Sequence, residues 1–162
     1  MKNQHLVFAR KAAARFWKPA TAALLLVSGL AAASPAMAVE CRGEAAPGVD
    51  WSDCKKRMLM LSGSSLEGAN LSSADFSVTD LSHSDLNRAV LTKATLVRAS
   101  LAGAKAQGAR FEKVEGYRSN FSAIEAPDAV FLSSELQRAN FTKADLTDTN
   151  FTKAELGRVI FD

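Results

Sequence analysis

Ala69-Asn70-Leu71-Ser72-Ser73-Ala74-Asp75-Phe76-Ser77-Val78 holds one five-residue unit twice: a small residue, an Asn or Asp, a bulky apolar residue and two variable positions. Outward from this stretch the bulky residue recurs at every fifth position, from Leu61 and Leu66 to Leu156 and Phe161, with no insertion. Of 21 such positions between 61 and 161, 18 are Leu or Phe, and the exceptions are Ala106, Gly116 and Ala126. Two residues before most centres stands a small residue, as at Ser64, Thr79, Ala89 and Ala109. A period of five suits neither ordinary element, because five helical steps turn a side chain by about 500° and five strand steps reverse its face. Fixed-period repetition instead predicts a solenoid, whose units bury their apolar residues only against stacked neighbours.

Units such as Ala69-Asn70-Leu71, Ala74-Asp75-Phe76 and Ala139-Asn140-Phe141 resemble the A-(D/N)-(L/F)-x-x signature of the pentapeptide-repeat family. That resemblance implies an all-β fold, a right-handed quadrilateral β-helix with four units to a twenty-residue coil. The central residue and the small residue before it then point inward, and the array expected over 59–162 makes about five coils. The three small centres alternate with Phe111, Phe121 and Phe131. If successive units occupy successive faces, small and large centres fall on alternate pairs of opposite faces, the interdigitation a close-packed interior favours. Val114 and Ile124 enlarge the usually small inward position nearby. The competing expectation is a bulge or pocket around Gly116 and Pro127.

The first 38 residues read as a secretory signal: basic residues through Lys18, an apolar run from Ala20 to Ala33, then Ala36-Met37-Ala38 as a small-residue cleavage site before Val39. The apolar run is shorter than the roughly 20 residues that cross a bilayer as a helix. An exported product, periplasmic or secreted from a bacterium and without stable membrane insertion, is therefore expected. The formal charge of +3 includes five cations of the leader; without them 15 Lys and Arg face 17 Asp and Glu, a net of −2. The basic pI is thus no sign of nucleic-acid binding. Cys41 and Cys54 both follow the cleavage site, and an oxidising compartment makes a disulfide between them the default. Residues 39–58 are expected to form an N-terminal cap held by that bridge, with Trp51 and Met58 covering the first coil. No cap is evident at the carboxyl end, which suggests an end-to-end homodimer through the C-terminal coil or a continuation of the chain.

Folding the sequence modulo twenty stacks Arg98, Arg118, Arg138 and Arg158 in one column, with Asp75, Thr95, Glu115, Glu135 and Glu155 on the same face. Lys93, Lys113 and Lys153 lie on the adjoining face, where Val90, Val130 and Leu132 could form an apolar stripe. The column reads either as a ladder of surface salt bridges, each worth about 0 to 1 kcal/mol, or as a groove for an anionic polymer or acidic partner. Another face, with Glu67, Asp85, Glu125, Asp128, Asp145 and Asp148 against Arg88 and Lys105, is the acidic side. His83 has no designated triad partners, Asp80 and Asp85 occupy different faces, and no phosphate-binding glycine loop occurs. No catalytic residue, cofactor or metal is expected. The leading reading is an exported, non-catalytic scaffold or protein-binding module. Its alternatives are a binder of anionic cell-envelope polymer through the arginine column and a DNA-mimicking gyrase-interacting protein of the Qnr and MfpA type. The export signal and weak net charge oppose the last.

Overall fold

A backbone N–H buried without a partner is costly, and the unit around Leu71 leaves none of its five unaccounted for. The computed structural model describes residues 41–162. In the unit around Leu71, the N–H groups of Leu71 and Ser73 donate to Val90 and Thr92 of the next coil. That of Ala74 closes a turn onto the Leu71 carbonyl, and that of Asp75 donates to Cys54 of the preceding coil. The fifth, on Ser72, donates to the Asn70 side chain at 3.3 Å. The last bond explains the frequent Asn or Asp before a centre: its side-chain oxygen caps the backbone two residues on, as short polar side chains do in turns. Asp75, Asp80, Asp85, Asn120, Asn140, Asp145 and Asn150 repeat it.

The second variable position is left-handed throughout, and 18 of these residues are not glycine. A turn with only its second central residue at positive φ is of type II. Each non-glycine residue there costs on the order of 1 to 2 kcal/mol, which the coil-to-coil hydrogen bonds and the core must offset. Among the described residues all nineteen bridges are parallel and join residue i to residue i+20. The coil therefore has twenty residues and four faces. The first is centred on Leu61, Leu81, Leu101, Phe121, Phe141 and Phe161; the second on Leu66, Leu86, Ala106, Ala126 and Leu146; the third on Trp51, Leu71, Leu91, Phe111, Phe131 and Phe151; the fourth on Lys56, Phe76, Leu96, Gly116, Leu136 and Leu156.

Pairing begins at Asp50 with Asn70, and residues 47–48, 52–53 and 57–58 are turns of the downstream kind. Much of the 39–58 segment expected as a cap is therefore coil. Of the two residues expected to cover the first coil, Trp51 is buried in the core, whereas Met58 stands in the left-handed turn position and is 71% exposed. Cover comes instead from Lys56 at a central position, whose Nζ lies 3.5 Å from the centroid of the Trp51 ring. The Sγ atoms of Cys41 and Cys54 are bonded, with Cα atoms 5.4 Å apart. The expected leader over 1–38 and its cleavage site lie outside the described residues. Among the described residues no helix is long and apolar enough to cross a membrane.

The small centres are filled by the aromatic columns. Phe111, Phe131 and Phe151 stack on the third face with centroids 4.5 and 5.0 Å apart, and Phe121, Phe141 and Phe161 stack on the first at 4.7 and 5.5 Å. The two columns meet edge to face across the interior, at 6.0 Å for Phe111 with Phe121 and 5.7 Å for Phe121 with Phe131. Ala106 and Ala126 lie on the second face and Gly116 on the fourth, so small and large centres do occupy alternate pairs of faces. No room is left at Gly116, where a Cβ would stand 2.8 Å from Leu136 Cδ2 and 3.0 Å from Ser119 Oγ. Buried hydroxyls at the small inward position are satisfied: Thr79, Ser84 and Ser134 donate to the carbonyls of Lys56, Leu61 and Phe111.

Candidate functional site: a basic face and its acidic opposite

Because side chains of one register column stand a coil apart, each column is a ladder with rungs spaced about 4.8 Å. Arg98, Arg118, Arg138 and Arg158 form such a ladder in the turn closing the fourth face, all left-handed at φ 56° to 61°. Lys93, Lys113 and Lys153 form another in the turn that opens this face, with Ser133 in the missing rung. Between the turns runs the bridge ladder Asp75, Thr95, Glu115, Glu135, Glu155. From residue 93 onward this face and its two edges carry seven cations against four carboxylates, Glu112 in the opening turn and Glu115, Glu135 and Glu155 in the bridge ladder.

The expected salt-bridge ladder does not form. Among the described residues the ion pairs are Arg57 with Asp75, Arg88 with Glu67 and Arg110 with Glu112, and none uses an arginine of the column. Neutral neighbours reach the carboxylates instead: Thr95 donates to Glu115 and Gln137 to Glu155. Two of the arginines take an aromatic partner. The guanidinium carbons of Arg118 and Arg138 lie 5.2 and 6.0 Å from the centroid of the Tyr117 ring, within cation–π range. Tyr117, the chain's single tyrosine, went unnoticed in the sequence. Its place one residue before Arg118 and twenty before Gln137 was the available signal.

Carboxylates elsewhere are held by turn hydrogen bonds. The Ser82 hydroxyl and N–H at Asp80, and those of Thr147 at Asp145, keep both carboxyls below the usual range. At Asp75 partial burial pushes upward, but the Ser77 hydrogen bonds and the charges of Arg57 and Lys55 outweigh it and the net shift is downward. Burial lowers Lys56 from the ordinary ammonium range.

The acidic residues lie on the second face, opposite the basic one. A polar depression of about 300 Å³ there is lined by Asn87, Lys105, Gln107, Glu125, Pro127 and Asp145. Of the two residues around which a pocket was expected, it includes Pro127 and excludes Gly116. Val90, Val130 and Leu132, expected as an exposed stripe, are half-buried. Among the described residues the exposed large apolar side chains are Met58, Leu59, Met60 and Val78 in the first coils, Tyr117, and Ile160 and Phe161. Among the described residues no group of three or more His, Cys, Asp or Glu side chains could hold a metal ion. His83 packs against the next coil at Gly103, where a Cβ would lie 2.7 Å from its Nδ1.

The sequence model for pentapeptide repeats matches residues 61–92, 84–124 and 128–162. No curated protein matches the chain. Solved structures do. A trypsin-treated form of QnrB1, a plasmid-mediated fluoroquinolone resistance protein, is 20% identical over 71% of this chain and 75% of its own, with a TM-score of 0.50. A pentapeptide repeat protein from the Arabidopsis thaliana thylakoid lumen is 23% identical over 62% of this chain, which spans 66% of that protein, with a TM-score of 0.41. HetL, a pentapeptide repeat protein involved in heterocyst differentiation regulation in the cyanobacterium Nostoc, is 24% identical over 64% of this chain and 48% of its own, with a TM-score of 0.32. At such identities the likeness bears on fold alone, an all-β, right-handed quadrilateral β-helix.

Proposed function

The chain belongs to the pentapeptide repeat family, and from that premise we propose that it is an exported, non-catalytic scaffold that binds a partner through the fourth face. One observation carries this reading: Arg98, Arg118, Arg138 and Arg158, with Lys93, Lys113 and Lys153 beside them, make no ion pair among the described residues. Had the arginines evolved only to relieve stacked like charge, Glu115, Glu135 and Glu155 should be their partners. Unpaired cations on a regular, rigid ladder are instead ready for anions brought by another molecule, and the ordered backbone beneath them lowers the entropy cost of binding. Export is supported by the leader-like first 38 residues and by the Cys41–Cys54 pair. A DNA mimic would need an acidic surface on every side, and the fourth face has the opposite sign.

The test is capture from a periplasmic extract with the chain and with a charge-reversed variant in which all four arginines become Glu. A partner retained by the first and lost by the second supports the reading. Identical partners for both would remove the fourth face from the function.

A further inference from the structure

We infer that the fourth face binds a linear acidic polysaccharide laid along the rod axis, an inference that rests on the binding role proposed for that face. Four features of the site select this ligand chemistry. Guanidiniums at about 4.8 Å intervals form a straight row of four anion-binding rungs, and Arg pairs with carboxylate or sulfate in a bidentate fork. Such a row is matched by an extended polymer that repeats its anions along a line, whereas the phosphates of a duplex strand wind away from it. The glutamates between the two basic edges are the second feature. A dense phosphate polymer would meet Glu115, Glu135 and Glu155 as like charges, while a sugar chain offers them hydroxyl donors.

Third, the face also carries neutral hydrogen-bonding groups, Thr95 and Gln137, which already touch Glu115 and Glu155. Acceptors, neutral donors and cations side by side suit a ligand that is both hydroxylated and anionic. Fourth, Tyr117 is 37% exposed in the midst of the ladder, with Arg118 and Arg138 over its ring. An aromatic ring gives the C–H face of a pyranose a surface to stack on, and here it also positions two of the guanidiniums. The depression on the second face lacks both the ring and the row of cations.

Titration of the purified chain with polygalacturonate tests the inference, with dextran as the uncharged polymer and single-stranded and duplex DNA as phosphate polymers. Polygalacturonate should bind, with affinity falling as salt rises; dextran should not bind, and either DNA should bind at least tenfold more weakly. Replacing all four arginines (R98Q/R118Q/R138Q/R158Q) should weaken polygalacturonate binding at least tenfold, and four lysines in their place should restore only the part that charge alone supplies. The variant R88Q, which removes an arginine engaged in an ion pair with Glu67 away from the fourth face, should change affinity less than twofold. Tyr117→Ala should lose several-fold and Tyr117→Phe little. Equal binding of dextran, tighter binding of DNA, or an unaffected fourfold variant would each overturn the inference. If polygalacturonate fails to bind while extract capture still depends on the arginines, the polysaccharide is wrong and the binding face stands. If both fail, the binding role falls with it.

Discussion

Two stretches of the core share one backbone and fill it differently. From Leu66 to Leu101 every face has a Leu centre except for Phe76, so each coil is packed by side chains of nearly equal size. From Ala106 onward the first and third faces carry Phe, while the second and fourth shrink to Ala106, Gly116 and Ala126 before Leu returns at Leu136 and Leu146. Hydrogen bonding and register are the same in both. The difference shows that the solenoid constrains the volume of a coil more tightly than the residue on any one face. Equal leucines meet that requirement by layering, whereas the aromatic stretch meets it with two offset columns that interlock edge to face. Each downstream Phe consequently depends on rings in other coils as well as its own.

The strongest way to break the comparison is to truncate one centre in each stretch on the same face. Phe131→Ala removes a ring stacked on both Phe111 and Phe151 and set edge to face with Phe121 and Phe141. Its neighbours along the chain are Ala126 on one side and Leu136 on the other, so only one large centre outside the columns can move toward the void. A loss of about 3 to 5 kcal/mol is expected, against about 2 to 3 kcal/mol for Leu91→Ala, where Leu71, Leu86 and Leu96 can partly collapse. Urea unfolding of the two variants measures the difference. Equal losses would mean that the columns are no more interdependent than the leucine layers.

A slightly smaller effect should appear at the upstream end alone. The Cys41–Cys54 bond joins residues 13 apart, and for a loop near that size the chain-entropy model gives about 3 kcal/mol. Replacing both cysteines with Ser should raise amide exchange in the coils around Trp51 and Leu71 and leave those around Phe121 and Phe141 unchanged. Uniform acceleration along the rod would show that the two stretches unfold as one unit.

The sequence revealed these stretches unevenly. The central column, the small residue before it and the alternation around Gly116 were legible, because a strict period assigns every position a face before any side chain is placed. The start of the coil was not, since Trp51 and Lys56 occupy centres where the pattern calls for Leu or Phe. Lys56 fits there only because its ammonium rests on the Trp51 ring at the end of the core. On the basic face the arginine column was legible and its pairing was not. Whether Glu115 meets an arginine or Thr95 depends on which side chain reaches it first, and column membership carries no rotamer. The depression was legible at Pro127 and misplaced at Gly116, because it depends on surface relief on the second face and not on the small centre.

Filling the fourth face probes the same volume rule from the other side. Gly116→Ala places a methyl 2.8 Å from Leu136 Cδ2 and 3.0 Å from Ser119 Oγ. Leu136 is flexible at its tip, so the cost should be about 1 to 2 kcal/mol, toward the lower end for overpacking. Adding Leu136→Val, which pulls the branch back, should recover part of it. If thermal melts show the double variant to be less stable than the sum of its parts, the methyl is not clashing with Leu136.

The smallest effect separates the stretches by pH. Upstream, the turn cap before the centre is often Asp, as at Asp50, Asp75 and Asp80, all with carboxyls held below the ordinary range. Downstream, Asn120, Asn140 and Asn150 make the same bond with an amide that does not titrate, and Asp145 is the exception. A carboxyl lowered by folding contributes stability above its unfolded value near 3.8, and the contribution disappears as pH falls through the lower folded value. Acidification from pH 5 to pH 2 should therefore loosen the upstream coils before the aromatic ones, seen as earlier loss of amide protection at Ser77 and Ser82 than at Ser122 and Thr142. Asp75→Asn and Asp80→Asn together should narrow that gap, since the amide keeps the acceptor and removes the proton equilibrium. Were the gap unchanged in this variant, the upstream acid sensitivity would have to come from a source other than the turn caps.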